Sequence, residues 1–333
     1  MRILLLSNMY PSPERPEFGV FVKRLADALR ERGNEVDEAV LQAGARGPLR
    51  TPLAYLQLVD RARRVLRSRR PQVVYAHYLV PTGLVAMATR TPFVITAHGT
   101  DVSNAASLPL AGPLTRRVIG RAAAVICVSE YLAQRLPAQP RRLEVIDCGV
   151  DTVQFSPAPR ADGEGPRYLA AGNLIERKNI GRLLEAFGRL DSGTLTVAGS
   201  GPLEAELRAR APERVTFLGR VDPAAMPAVY RACDVYCQPS LVEPQGQALL
   251  EALATGRPVV ATRVGGPPEY VTPECGVLVD PLDVDAIAEG MRAAARLPVP
   301  CEAAVAVAES HSLERAAARV ERLLAEVSSV GNG

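Results

Sequence analysis

Short, largely apolar runs alternate with longer amphipathic stretches along almost the whole chain. A strand with no polar face is buried on both sides, so the alternation demands parallel sheets covered by helices on both faces. Arg2–Ser7, Val36–Leu41, Gln72–Ala76, Phe93–Ala97, Ala123–Val128 and Leu143–Ile146 read as strands of one such sheet. Between them, Val20–Arg32 reads as a helix with Phe21, Leu25, Ala28 and Leu29 on one face and Gly33 as its stop, and Pro52–Arg67 as another. The Pro, Gly and acidic stretch Ser156–Pro166 interrupts the pattern and reads as a linker. A second set follows, with strands Tyr168–Ala171, Thr194–Ala198, Val215–Leu218, Val235–Cys237, Pro258–Thr262 and Gly276–Val279. Its helices are Ile180–Leu190, Leu203–Arg210, Pro223–Ala232, Gly246–Thr255 and Val284–Arg296, and Ser312–Val327 closes the chain before Gly331–Gly333, expected to fray. The expected fold class is α/β, two Rossmann-like doubly wound domains facing each other across a cleft. Their bounds are set at 1–156 and 157–311, with a terminal helical segment 312–333 packing back toward the first domain. Such sheets bind ligands beyond the carboxyl ends of their strands.

Composition removes several classes of function. With 23% charged and 47% hydrophobic residues the chain is neither disordered nor low in complexity. No apolar run approaches the ~20 residues that span a bilayer. The run Ile3–Leu6 is too short for a signal-peptide core, so a cytoplasmic protein is expected. Cys233 and Cys237 form a lone pair with no His nearby, and His77, His98 and His311 are dispersed, so no metal site is expected. No basic segment interleaves with aromatics, against nucleic-acid binding. Gly199-Ser200-Gly201-Pro202 is too short for a dinucleotide fingerprint, and no phosphate-loop lysine motif occurs. The net charge of +3 conceals a division: the first 150 residues hold 21 Lys+Arg against 12 Asp+Glu, the remainder 18 against 24. Only two of the 39 cations are lysines, Lys23 and Lys178.

The segment from Pro239 to Ala252 is the most informative for chemistry. It leaves a strand, turns, and opens a helix whose first amides, near Gly246, Gln247 and Ala248, lack intrahelical partners and suit a phosphate. Gly246 clears space for close approach. Glu251 lies roughly 8 Å further along at ~1.5 Å per residue, about the reach from a diphosphate to its ribose. Glu243, before the helix, is placed to accept from other hydroxyls.

This segment and its continuation, Thr255-Gly256-Arg257-Pro258-Val259-Val260-Ala261-Thr262 and Gly265-Gly266-Pro267-Pro268-Glu269, resemble the paired-glutamate signature and Gly-Gly loop of glycosyltransferase family 4. Ala171–Asn179 resembles the family's donor loop, with Lys178 on the family lysine. Asn173 stands where the family usually carries an arginine, leaving Arg177 or the helix amides to supply the second positive group. Phe18–Val22 resembles the family's glycine loop, with Gly19 approaching the donor phosphates, and His98-Gly99-Thr100-Asp101 its His-Gly element beside the sugar. Cys148 replaces a usual Asn. The resemblance implies a GT-B fold and sugar transfer from a nucleotide diphosphate sugar, with retention and without metal or resident cofactor. It implies catalytic roles for Lys178, Glu243 and His98, and donor binding by Gly19, Asn173, Arg177, Arg220, Val221, Gly246, Gln247, Ala248 and Glu251 as well. Tyr10, His77 and Asp101 are assigned to the acceptor side. A UDP-sugar is the favoured donor.

Arg61, Arg63, Arg64, Arg67, Arg69 and Arg70 crowd one helix and its end, which fits either a solvated face or contact with anionic headgroups at the inner face of a membrane. The acceptor is expected to be a hydroxyl, lipid-linked or on a cell-envelope glycan. A nucleotide-sugar epimerase and a non-catalytic nucleotide-binding or membrane-docking protein remain the alternatives. Replacing Lys178 or Glu243 by Ala is expected to lower turnover and leave the fold intact.

Overall fold

The structure is a computed structural model that describes residues 1–42, 50–107, 111–160, 163 and 165–330. The chain terminus at 331–333 and linker positions 161, 162 and 164 lie outside the described residues. Contacts divide the chain into two units, one formed by Met1–Gly149 with the last helix, the other by Val150–Ser312.

The first unit contains, in order, β1 (Arg2–Tyr10), α1 (Val20–Glu31), β2 (Glu35–Gln42), α2 (Arg50–Arg69), β3 (Val73–His77) and α3 (Thr82–Ala88). These are followed by β4 (Phe93–Ala97), α4 (Thr100–Ser107), α5 (Ala111–Arg121), β5 (Ala124–Cys127), α6 (Glu130–Ala133) and β6 (Leu143–Val145). Its six-stranded sheet has the order β2-β1-β3-β4-β5-β6, and every pair is parallel. The apolar runs explain this. Along β1, Leu4 and Leu6 enter one core with Val74 and Ala76, while Ile3 and Leu5 enter the core on the other face with Val73 and Tyr75. Strand order reverses direction between β1 and β3, so the crevice at their carboxyl ends is the natural ligand position.

The second unit runs through β7 (Arg167–Ala171), a single 3₁₀ turn (Glu176–Lys178), α7 (Ile180–Gly188), β8 (Thr194–Ala198), α8 (Glu204–Arg210) and β9 (Val215–Gly219). It continues with α9 (Met226–Arg231), β10 (Val235–Gln238), α10 (Gln247–Ala254), β11 (Val259–Thr262), a second 3₁₀ turn (Pro267–Glu269), β12 (Gly276–Val279), α11 (Val284–Ala294) and α12 (Glu302–Ser310). The sheet order is β12-β11-β10-β7-β8-β9, again parallel, with its reversal between β7 and β10. α12 has no counterpart in the sequence expectation. Its segment is alanine-rich with no large apolar residue, and Ala304 and Ala308 pack into the same core as Leu249 and Leu253 of α10.

The contacts change units at Gly149/Val150, so Val150 and Phe155, given to the first domain by the sequence boundary, pack in the second unit's core. Val150 N–H donates to the His311 carbonyl at 2.9 Å. Beyond it, α13 (Leu313–Val330) returns to the first unit, where Ala317, Val320 and Leu324 share a core with Leu25 and Leu29 of α1. Its Glu321 pairs with Arg32 at 2.7 Å.

Candidate functional site

In the second unit the reversal of strand order brings together the loop after β7 and the loop after β10. Lys178 ends the 3₁₀ turn and its Nζ donates to Glu243 Oε2 at 2.7 Å. The same carboxylate oxygen accepts from Gln238 Nε2 at 2.5 Å and from Ser240 Oγ at 3.3 Å. Arg177 stands 3.8 Å from it and donates to the Val242 carbonyl at 3.1 Å. Burial alone raises the Glu243 carboxyl, but the Lys178 and Arg177 charges and the hydrogen bonds of Lys178 and Gln238 outweigh it and hold the pKa below the ordinary glutamate value. Lys178, Arg177 and Glu243 thus form one coupled group. The expectation that Lys178 can be removed without touching the fold is corrected by this geometry, since its loss would leave a buried carboxylate short of a partner.

Backbone contacts hold that group in place. Leu241 N–H donates to the Arg177 carbonyl at 2.9 Å. Asn179 caps α7 from the left-handed region and donates through Nδ2 to the carbonyls of Pro239 and Pro281. Glu243 bridges the Gly-Gly loop, its N–H to the Val264 carbonyl and its carbonyl from the Gly266 N–H. Gly265 sits at φ +126°, and a Cβ there would lie 1.9 Å from the Glu243 carbonyl oxygen, so only glycine fits. The glycine turn that sequence left without a role has the same logic. A Cβ on Gly199 would strike the Gly172 carbonyl and one on Gly201 the Leu174 carbonyl, so both glycines let the two loops after β7 and β8 touch.

Gly246 takes a left-handed conformation at φ 95° and the helical bonds of α10 begin with Leu249 N–H to its carbonyl, which puts the Gln247 and Ala248 amides in the first turn of the helix. Glu251 lies on the same helix and accepts from the Tyr230 hydroxyl at 3.1 Å. Asn173 is exposed at the end of β7. Arg220 and Val221 follow β9, two strands from β7 in the sheet. Gln238, Ser240 and Asn179 were missed by sequence reasoning. All three are buried polar residues, Gln238 closing β10, Ser240 just beyond it and Asn179 capping α7, and a Gln closing an otherwise apolar strand was the available signal.

In the first unit the carboxyl ends of β3 and β4 bring two histidines together. His77 Nδ1 and His98 Nε2 are 3.0 Å apart, and His98 Nδ1 lies 3.8 Å from Cys148 Sγ. Rings of Phe21 and Tyr78 flank His98. Burial pushes the His98 pKa down to about 3, and burial with the neighbouring His98 holds His77 well below its usual value, so both imidazoles are neutral near pH 7. Asp101 is buried, and its two oxygens accept from the amides of Leu79, His98, Gly99 and Val102. Burial raises its pKa despite those four bonds. Both oxygens tie the turn after β3 to the turn after β4. The Tyr10 ring belongs to the core of α1, and its hydroxyl donates to Glu38 at 2.5 Å. Gly19 caps α1 at φ 72°, and a Cβ there would stand 2.5 Å from the Met9 carbonyl oxygen, so its glycine is required by packing against β1.

Residues 18–154 match the profile described as Glycosyltransferase Family 4, and residues 165–296 that described as Glycosyl transferases group 1. A GDP-mannose-dependent alpha-(1-6)-phosphatidylinositol monomannoside mannosyltransferase of Mycobacterium tuberculosis is 30% identical, over 92% of this chain and 91% of that one. Among solved structures, sucrose-phosphate synthase from Thermosynechococcus elongatus superposes with a TM-score of 0.83 at 22% identity, covering 99% of both chains. HepE of Anabaena, in complex with UDP and glucose, superposes at 0.75 and 21% identity, over 98% of this chain and 100% of that one. These superpositions establish the GT-B fold class.

Proposed function

Because this chain belongs to glycosyltransferase family 4 and so moves a sugar from a nucleotide sugar, we propose that it transfers a hexosyl unit to a hydroxyl acceptor with retention at the anomeric carbon. The carrying observation is the Lys178–Glu243 pair at the strand-order reversal of the second sheet, one turn before the N-terminus of α10. A leaving diphosphate needs positive charge placed in advance of bond breaking, and preorganised charge of this kind is the largest single term in many enzymes. In this reading Lys178, Arg177 and the amides of Gln247 and Ala248 take up that charge in place of a divalent ion. Lys178 exchanges part of its bond to Glu243 for the diphosphate, and the carboxylate so released accepts from sugar hydroxyls. Glu251, oriented by Tyr230, accepts from the ribose. His98 donates to the sugar.

GDP-mannose is the donor we favour over a UDP-sugar, since the relative matched over nine-tenths of both chains uses it. That relative's acceptor is a phosphatidylinositol mannoside, and a lipid-linked acceptor suits the surface of α2. Leu53 and Leu56 are exposed there, 57% and 66%, in the same outward row as Arg63 and Arg67. No helix among the described residues is long and apolar enough to cross a membrane. Peripheral contact through α2, with leucines entering the headgroup layer and arginines on anionic lipid, is the arrangement we propose.

The test is a thermal-shift panel of GDP, UDP, ADP and TDP, followed by transfer of labelled mannose from GDP-mannose to a lipid extract. A shift with GDP alone and labelled lipid support the reading. A shift with UDP alone overturns the donor, and donor isomerised without acceptor overturns the transfer.

A further inference from the structure

We propose that His77 is a positioning residue that fixes the tautomer of His98, making His98 a hydrogen-bond donor through Nδ1 toward the sugar. The proposal rests on the reading that His98 contacts the sugar, and its geometry lies wholly within the first unit.

His77 Nε2 is buried and has no hydrogen-bond partner, in a residue only 1% exposed. Each neutral imidazole carries one N–H and one lone pair. If the His77 proton sat on Nε2, a buried N–H would be orphaned, and such groups are rare in folded proteins. The proton therefore sits on Nδ1. Among the described residues, the polar atom offered to Nδ1 at bonding distance is His98 Nε2, at 3.0 Å. His98 Nε2 must then be the acceptor, which leaves the His98 proton on Nδ1.

What Nδ1 meets decides its use. Its neighbour is Cys148 Sγ at 3.8 Å, and burial raises that thiol's pKa, so the sulfur stays protonated. A thiol sulfur is a weak acceptor. The Nδ1 proton is thus held in direction and poorly satisfied, a condition in which an incoming hydroxyl or ring oxygen improves its bonding. A neutral His98 fits this role, since its protonation would set an Nε2–H against the His77 Nδ1–H across the contact. Asp101 completes the frame, accepting from the backbone of both His98 and Leu79 and so setting the spacing between the two turns. His77 acts through His98 alone. The expectation that it lies at the acceptor is replaced by a role one step removed.

The experiment uses the full chain labelled with ¹⁵N-histidine, which has three histidines to assign, and reads each ring nitrogen by long-range ¹H–¹⁵N correlation. In the unsubstituted protein His98 should show a protonated Nδ1 and an unprotonated Nε2. His77→Leu removes the donor, and His98 should then lose that single tautomer. His77→Asn keeps an N–H near the position of Nδ1 and should restore it. In transfer from GDP-mannose, His77→Leu should lower kcat about tenfold, equal to about 1.4 kcal/mol, with KM for the donor unchanged, and His77→Asn should recover most of the loss. A protonated His98 Nε2 in the unsubstituted protein overturns the proposal. So does a tautomer or kcat that His77→Leu leaves unchanged. A protein that transfers no mannose yet shows the Nδ1–H tautomer, lost in His77→Leu, refutes the functional reading and not the tautomer control.

Discussion

Replacing Lys178 by Met tests whether the cation proposed to meet the donor is also a structural one. The Lys178 and Glu243 side chains are 16% and 9% exposed and their charges lie 2.7 Å apart. At an effective dielectric of about 20, Coulomb's law sets their attraction at roughly 6 kcal/mol before desolvation is subtracted. Removing one partner of a buried pair typically costs about 3–5 kcal/mol. The lower end applies here, about 3 kcal/mol, because Gln238 and Ser240 still donate to Glu243 and Arg177 remains at 3.8 Å. Glu243→Gln in the same background removes the stranded charge, so the double variant should be more stable than Lys178→Met alone, with a coupling of about 2 kcal/mol. The pH dependence has a definite sign. The folded pKa of Glu243 lies below its ordinary value, so the pair's contribution is complete above that value and fades as pH falls through the folded pKa. The gap between the parent protein and Lys178→Met should therefore be widest near neutrality and narrow in acid. Urea unfolding followed by circular dichroism on the four proteins, at several pH values, measures the cycle. Single effects that add to within about 0.5 kcal/mol, or a gap that does not change with pH, would refute the reasoning.

Other outcomes follow from the same contacts. Gly265→Ala forces a Cβ against the Glu243 carbonyl from a backbone conformation at φ +126°, and should cost at least about 2 kcal/mol while abolishing the thermal shift with GDP. Arg257 is fully buried and donates to the carbonyls of Ala158, Pro159, Tyr230 and Arg231. Arg257→Met should destabilise the second unit by about 3 kcal/mol, with hydrogen exchange rising first around 158–159 and 230–231. Leu53→Asp with Leu56→Asp should end co-sedimentation with anionic vesicles and leave GDP binding unchanged, and retained sedimentation would remove α2 from the membrane.

The parallel sheets were legible because period and composition act locally: a strand apolar at every residue has no exposed face, whatever its neighbours. Likewise the family was legible because Glu243 and Glu251 resemble its paired-glutamate signature and Lys178 lies in a loop that resembles its donor loop. What sequence could not supply was the partner of each polar group. Tyr10 and Asp101 look available as written, yet one hydroxyl goes to Glu38 and both carboxylate oxygens go to backbone amides. Gln238 was passed over because nothing nearby in sequence says that β10 ends beside Glu243.

By itself, then, the order of residues determined the α/β class, the two alternating sets of elements and the family, since each depends on residues close together in the chain or on their spacing. The tertiary structure alone decided which side chains are engaged: Lys178 with Glu243 across 65 residues, and His77 with His98 across 21. Those pairings follow from strand order, because parallel strands joined through helices set distant loops side by side at one sheet edge.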